Sequence, residues 1–122
     1  MYKLPEKPSV YWDVDSTLVF AWSDLDDTLK AKLTTVYINS ECFYVHDQHI
    51  QKIKEFKARG HNVIVWSAGG SDWAEAVVNA IGIQAFVDVV LSKPDWYFDD
   101  LPVEEWIGRR CYVKLNDTAR GF

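Results

Sequence analysis

Asp13 and Asp15 stand two residues apart, with Thr17 and Leu18 just after them, at the head of the stretch DVDSTLVFAWSDLDDTL (residues 13–29). A carboxylate can attack phosphorus if it is oriented and its charge is offset by a cation. A second carboxylate two residues on can protonate the leaving oxygen and then deprotonate the water that attacks next. Further along, Ser67 precedes Ala68, Gly69 and Gly70, Lys93 precedes Pro94, and Asp99 is followed by Asp100. The Ser67 hydroxyl, Thr17 and the N–H groups of Ala68 and Gly69 can hold phosphoryl oxygens. Lys93 can neutralise charge on nucleophile and phosphate. Asp99 and Asp100 can complete an oxygen shell for Mg2+, a hard cation. These residue types suit phosphate-ester hydrolysis through an aspartyl-phosphate, where catalysis is mostly positioning and electrostatics.

Such residues must be gathered by the elements between them. SVYW (9–12), a run of β-formers after Pro8, predicts a buried strand ending at Asp13. Residues 34–45 predict two strands around a turn at Asn39-Ser40-Glu41. Residues 48–60 predict a helix capped by Asp47, with Ile50, Ile53 and Phe56 as its apolar stripe and Gly60 as its stop. NVIVW (62–66) predicts a second buried strand ending at Ser67. Asp72 is placed to cap a helix running to Gly82, with Trp73, Val77, Ala80 and Ile81 inward. Strands at 86–91, 96–98 and 111–115 follow, with a brief helix over 102–107.

Alternating strands and helices predict an α/β domain: a mainly parallel, five-stranded sheet with helices on both faces. Right-handed crossovers bring every strand's C-terminal end to one edge, where open α/β sheets bind ligands. Asp13, Asp15, Ser67, Lys93 and Asp99 all fall at that edge.

The chain has 122 residues, which favours a single domain over 1–122, and 48% hydrophobic residues suffice for a core. Aromatic content is 15% with six Trp, so packing leans on large rings. The net charge of −5 argues against a general nucleic-acid-binding surface, though not against a nucleotide or nucleic-acid end as substrate. Two distant cysteines, Cys42 and Cys111, suggest reduced thiols rather than a disulfide framework. With no apolar leader and no stretch of membrane-spanning length, the expectation is a soluble, cytoplasmic protein.

VYWDVDSTLV, VIVWSAGG, SKP and YFDD resemble the four ordered motifs of the haloacid dehalogenase superfamily of phosphatases. The resemblance covers residues 9–115, and its weight lies in the order of the four. It implies a single Rossmann-like three-layer domain. It also implies Asp13 as nucleophile, Asp15 as general acid/base, Ser67 as phosphate ligand and Lys93 as charge stabiliser. Mg2+ would be held by Asp13, the backbone carbonyl of Asp15, and one or both of Asp99 and Asp100. The chain departs from the family pattern in two places. Lys93 and Asp99 are only six residues apart, so the helix usual between them is reduced to a turn. Only residues 18–46 are available over the site, enough for a β-hairpin flap but not for a cap domain. Minimal, capless members of this kind resemble small proteins of the superfamily found in bacteriophage genomes.

The second acidic cluster, residues 24–29, repeats the pattern. Its Ser23-Asp24-Leu25-Asp26-Asp27-Thr28 stretch suits a turn or helix cap, whereas the LVFAW after the first copy can re-enter the core. The first copy is therefore the expected site, and the second is expected in the flap. Asp47, Asp72, Asp88 and Asp95 are expected to be structural. His46, His49 and His61 lack metal spacing and are expected at the surface. Two other functions compete with hydrolysis. A receiver-like phospho-acceptor would share the fold, but its acidic pair precedes the acceptor Asp, whereas here the pair comes last. A catalytically inactive binding module of the same superfamily would not require Asp13 and Asp15 to be intact. The substrate is expected to be a phosphorylated small molecule or nucleic-acid end, and a dimer could cover the open site.

Overall fold

The computed structural model describes residues 7–115. It is an α/β fold with two small sheets. Three parallel strands, β1 (Ser9–Trp12), β5 (Asn62–Ser67) and β6 (Val89–Ser92), run in the order β1-β5-β6. Three antiparallel strands, β2 (Val19–Ala21), β3 (Thr35–Ile38) and β4 (Glu41–Val45), run in the order β2-β4-β3. A short helix α1 (Asp27–Lys30) precedes β3, α2 (Asp47–Ala58) links β4 to β5, and α3 (Ser71–Ala80) links β5 to β6.

In the parallel sheet, Val10 lies beside Val63, Trp12 beside Val65, and Val65 beside Val90. All five point to one face. They join a single core with Ile53 of α2 and with Ala74, Val77 and Val78 of α3. Both helices therefore cover the same face, which corrects the three-layer expectation: the described residues form two layers. The reason is the strand order. Two successive right-handed crossovers that advance in the same direction leave their helices on the same side. On the other face, Tyr11, Val89 and Leu91 are 49%, 43% and 40% exposed.

The five-stranded expectation is corrected as well, because residues 96–98 and 111–115 form no strand. For 96–98, chain length is the obstacle. Only Lys93, Pro94 and Asp95 separate Ser92 from Trp96, and a parallel crossover needs about a dozen residues. Reaching the outer edge of β1 from β6 means crossing about 14 Å of sheet and descending about 13 Å, some ~19 Å of path. Four extended residues span at most about 14 Å. Instead, residues 94–110 run over the surface with one 3-10 turn at Val103–Glu105.

The hairpin is as expected in outline. Asn39 (φ 50) and Ser40 (φ 69) turn β3 into β4 with two left-handed residues, the geometry that matches the twist of paired strands. The surprise is β2, which pairs with β4 through Val19 beside Val45 and Phe20 beside Tyr44. Leu18, Val19 and Phe20 are buried, so this flap is rooted in the core directly after the first acidic motif.

Helix ends differ in detail. His46, not Asp47, caps α2, its side chain accepting the His49 N–H. Asp47 is the first helical residue and accepts a hydrogen bond from the Thr34 hydroxyl at 3.0 Å. Gly70 (φ 105) precedes α3, whose first N–H, at Ser71, is taken by the Ser92 hydroxyl at 2.8 Å. Asp72 sits in the first turn, where a negative charge suits the helix dipole.

Candidate active site

The C-terminal ends of β1, β5 and β6 share one edge, and the residues there meet. Lys93, the first residue after β6, places its Nζ 3.0 Å from Asp13 Oδ1, and the Thr17 hydroxyl donates to Asp13 Oδ2 at 3.1 Å. Asp13 is thus held from both sides, yet its side chain remains 37% exposed and open to a ligand. Thr17 reaches back because the loop turns tightly. The carbonyl of Val14 accepts from the N–H groups of Thr17, Leu18 and Val19, and Ser16 takes a left-handed φ of 61. Lys93 is held in turn by its N–H, which donates to the Ser67 carbonyl at 2.8 Å, and its ammonium lies 5.9 Å from the Trp66 ring.

Ser67 stands at the expected strand end but is fully buried. Its hydroxyl accepts the Gly69 N–H at 2.9 Å, which closes the turn into α3. That bond uses the Gly69 amide locally. Ala68 and Gly69 themselves are exposed at the rim. A Cβ on Gly69 would come within 3.2 Å of the Trp73 ring, so the turn and the indole are closely fitted.

Asp15 has a partner that no spacing rule identified. The indole Nε1–H of Trp73 is 3.2 and 3.3 Å from its two carboxylate oxygens. Trp73 was expected only as an inward apolar residue of α3. It is half-buried, its ring 5.5 Å from that of Phe43 on β4, so the antiparallel sheet, α3 and the first motif converge on it.

The acidic pair stands apart. Asp99 and Asp100 are exposed, and Asp99 accepts the Leu101 N–H at 3.0 Å. Among the described residues, no group of three or more His, Cys, Asp or Glu side chains is placed to hold a metal. Among the described residues, Asp13 and Asp15 are therefore not joined by a third carboxylate. The accessible Asp13 carboxylate still fits Mg2+ chemically, since that ion commonly binds through one or two carboxylates, substrate phosphate and water.

The second acidic cluster lies in the 3-10 turn Trp22–Asp24 and in α1, between β2 and β3. Asp26 and Asp27 are exposed; the Asp24 side chain is not among those described.

His46 and His49 correct the surface expectation, being 0% and 2% exposed. Their rings stack at 3.7 Å. Backbone partners fix both tautomers. His46 Nδ1 accepts the His49 N–H at 3.2 Å, so Nε2 carries the proton donated to the Val113 carbonyl at 2.6 Å. His49 Nε2 accepts the Val113 N–H at 3.0 Å, so Nδ1–H donates to the Thr17 carbonyl at 2.7 Å. Burial holds both imidazoles below their usual pKa, that of His49 at about 4. Two neutral rings thus tie residue 113 to the loop behind Asp13.

No family model, curated protein or solved structure matches this chain. No helix among the described residues is long and apolar enough to cross a membrane.

Proposed function

We propose that the chain is a Mg2+-dependent phosphomonoester hydrolase of haloacid dehalogenase type. The observation that carries this reading is Asp13 held between the Lys93 ammonium and the Thr17 hydroxyl at the ends of two parallel strands. An oriented carboxylate paired with a fixed cation suits attack on phosphorus better than it suits a solvated surface.

In this mechanism an Asp13 oxygen attacks phosphorus, the ester P–O bond breaks, and Asp15 protonates the departing alkoxide. Asp15 then takes a proton from water, whose oxygen attacks phosphorus and releases Asp13 and inorganic phosphate. Lys93 offsets the charge that gathers on the phosphoryl oxygens. Mg2+, when bound by Asp13 and the Asp15 carbonyl, would supply further charge neutralisation. Trp73 holds the Asp15 carboxylate in one orientation. The substrate is a phosphate monoester small enough, or with an end exposed enough, to approach an uncapped site.

The test is phosphate release from an aryl phosphate with Mg2+, comparing wild type, Asp13→Asn and Asp24→Asn, with a chelator control. Chelator-sensitive turnover that only Asp13→Asn abolishes is expected. Loss in Asp24→Asn alone would move the site to the second cluster. A stable phospho-protein without turnover would favour the receiver-like reading, and no reaction at all the binding-module reading.

A further inference from the structure

The outer edge of β1 pairs with no strand among the described residues, since β1 is bonded only to β5. An edge of β-forming residues, beside a face on which Tyr11, Val89 and Leu91 are exposed around a buried Ile64, is a template for another strand. The same chain carries a segment of matching character. Trp96, Tyr97 and Phe98 are consecutive, non-helical and exposed by 89%, 53% and 102%. Their arm has some order of its own, with Tyr97 set against Trp106 at a ring distance of 6.3 Å. It leaves β6 at Pro94, a residue suited to a rigid hinge. The arm cannot reach the edge of its own β1, because its path is longer than its chain. A second copy has no such limit.

We infer that two copies of this chain associate by exchanging residues 94–107, with residues 96–98 of each pairing in parallel with the outer edge of the other's β1. The contact is reciprocal, as a two-fold interface requires, because each copy offers both the edge and the arm. Pairing residue 96 with Val10 and residue 98 with Trp12 sets Asp99 level with the partner's Asp13. Tyr97 then lies beside Tyr11 on the face opposite the helices, and Trp96 and Phe98 shelter beside Val10 and Trp12. The exchange thus adds the missing carboxylates to the Asp13–Asp15 site of the other copy, a consequence that rests on the hydrolase reading.

Sedimentation equilibrium tests the association without reference to activity. Wild type is expected at twice 14.1 kDa and a Trp96→Ser/Phe98→Ser variant at 14.1 kDa. Both side chains are exposed in the single chain, so its fold does not depend on them, and thermal melts check this. Wild type at 14.1 kDa across micromolar concentrations, or a variant that still dimerises, would overturn the proposal. Site sharing is tested by mixing Asp13→Asn with Asp99→Asn/Asp100→Asn, each expected to be inactive alone. Random exchange makes half the dimers mixed, each with one intact site, so about a quarter of wild-type activity should return. An active double variant, or a mixture that stays inactive, overturns the sharing. If wild type is an arm-dependent dimer that hydrolyses nothing, the hydrolase reading falls and the exchange stands.

Discussion

The Nδ1–H of His49 donates to the carbonyl of Thr17 at 2.7 Å, the same residue whose hydroxyl grips Asp13. The other nitrogen of the same ring accepts the Val113 N–H at 3.0 Å. One neutral imidazole therefore fixes the back of the first-motif loop to the segment at Val113, itself 64 residues beyond the histidine.

His49→Ala removes both bonds and leaves the Thr17 carbonyl and the Val113 N–H without them. Each buried group left unpaired costs about 1–3 kcal/mol, so a loss of roughly 2–6 kcal/mol is expected. A urea melt read by tryptophan fluorescence measures it through a lower midpoint with an unchanged slope.

Acid should weaken the fold through the same pair. Both histidines have folded pKa values depressed below the unfolded value of about 6.5, that of His49 to about 4. The unfolded chain therefore binds more protons between those limits, and stability falls as pH drops through that window. Above pH 6.5 the contribution is complete; below about 4 the His49 loss levels off. The slope is at most about 1.4 kcal/mol per pH unit for each ring. A series of melts from neutral to acid pH should show this decline, and a His46→Gln/His49→Gln variant should lose the part due to these rings.

Lys93→Met should leave the fold intact, since the side chain is 35% exposed and its main-chain bond to Ser67 survives. Under the hydrolase reading, removing a fixed cation from the reacting centre should lower kcat by about 10²–10³. Steady-state kinetics on an aryl phosphate give the number, and a change confined to KM would assign Lys93 to binding alone.

Trp73→Phe keeps a ring against Phe43 but deletes the N–H that meets both oxygens of Asp15. Stability should change by no more than about 1 kcal/mol. Under the hydrolase reading kcat should fall instead, because Asp15 loses the donor that orients it, and steady-state kinetics on an aryl phosphate measure the loss.

Asp88→Asn should destabilise the start of β5. Asp88 accepts from Lys57 Nζ at 2.6 Å and from the Val63 N–H at 2.7 Å, and these bonds hold its carboxyl below the usual range, the Lys57 bond contributing most. The pair is partly exposed, so the expected loss is about 1 kcal/mol. It should be largest above the unfolded carboxylate pKa and vanish as pH falls through the depressed one.

Local pattern carried the sequence reading where short-range rules govern. The parallel strands at 9–12 and 62–66, the helices at 47–58 and 71–80, and the Asn39-Ser40 turn were legible because periodicity, caps and left-handed turn residues act within a few positions. Asp13, Ser67 and Lys93 were legible for the same reason, as strand-terminal residues of an α/β sheet. Trp73 could have been noticed as an indole donor at a helix start facing a carboxylate-bearing loop, but only the register of β5 and α3 says that it meets Asp15.

The chain by itself determined which residues could be chemical and which stretches could be strands, since side-chain type and apolar alternation are local properties. Whether a strand-like stretch finds a partner is decided by chain length and topology. Residues 96–98 look as β-forming as 9–12, yet three linking residues cannot carry them across the sheet. Tertiary structure alone decided that both helices lie on one face, that His46 and His49 are buried, and that Asp99 and Asp100 are not gathered with Asp13 and Asp15. Those outcomes depend on contacts between residues far apart in sequence, and no short window of sequence contains both partners.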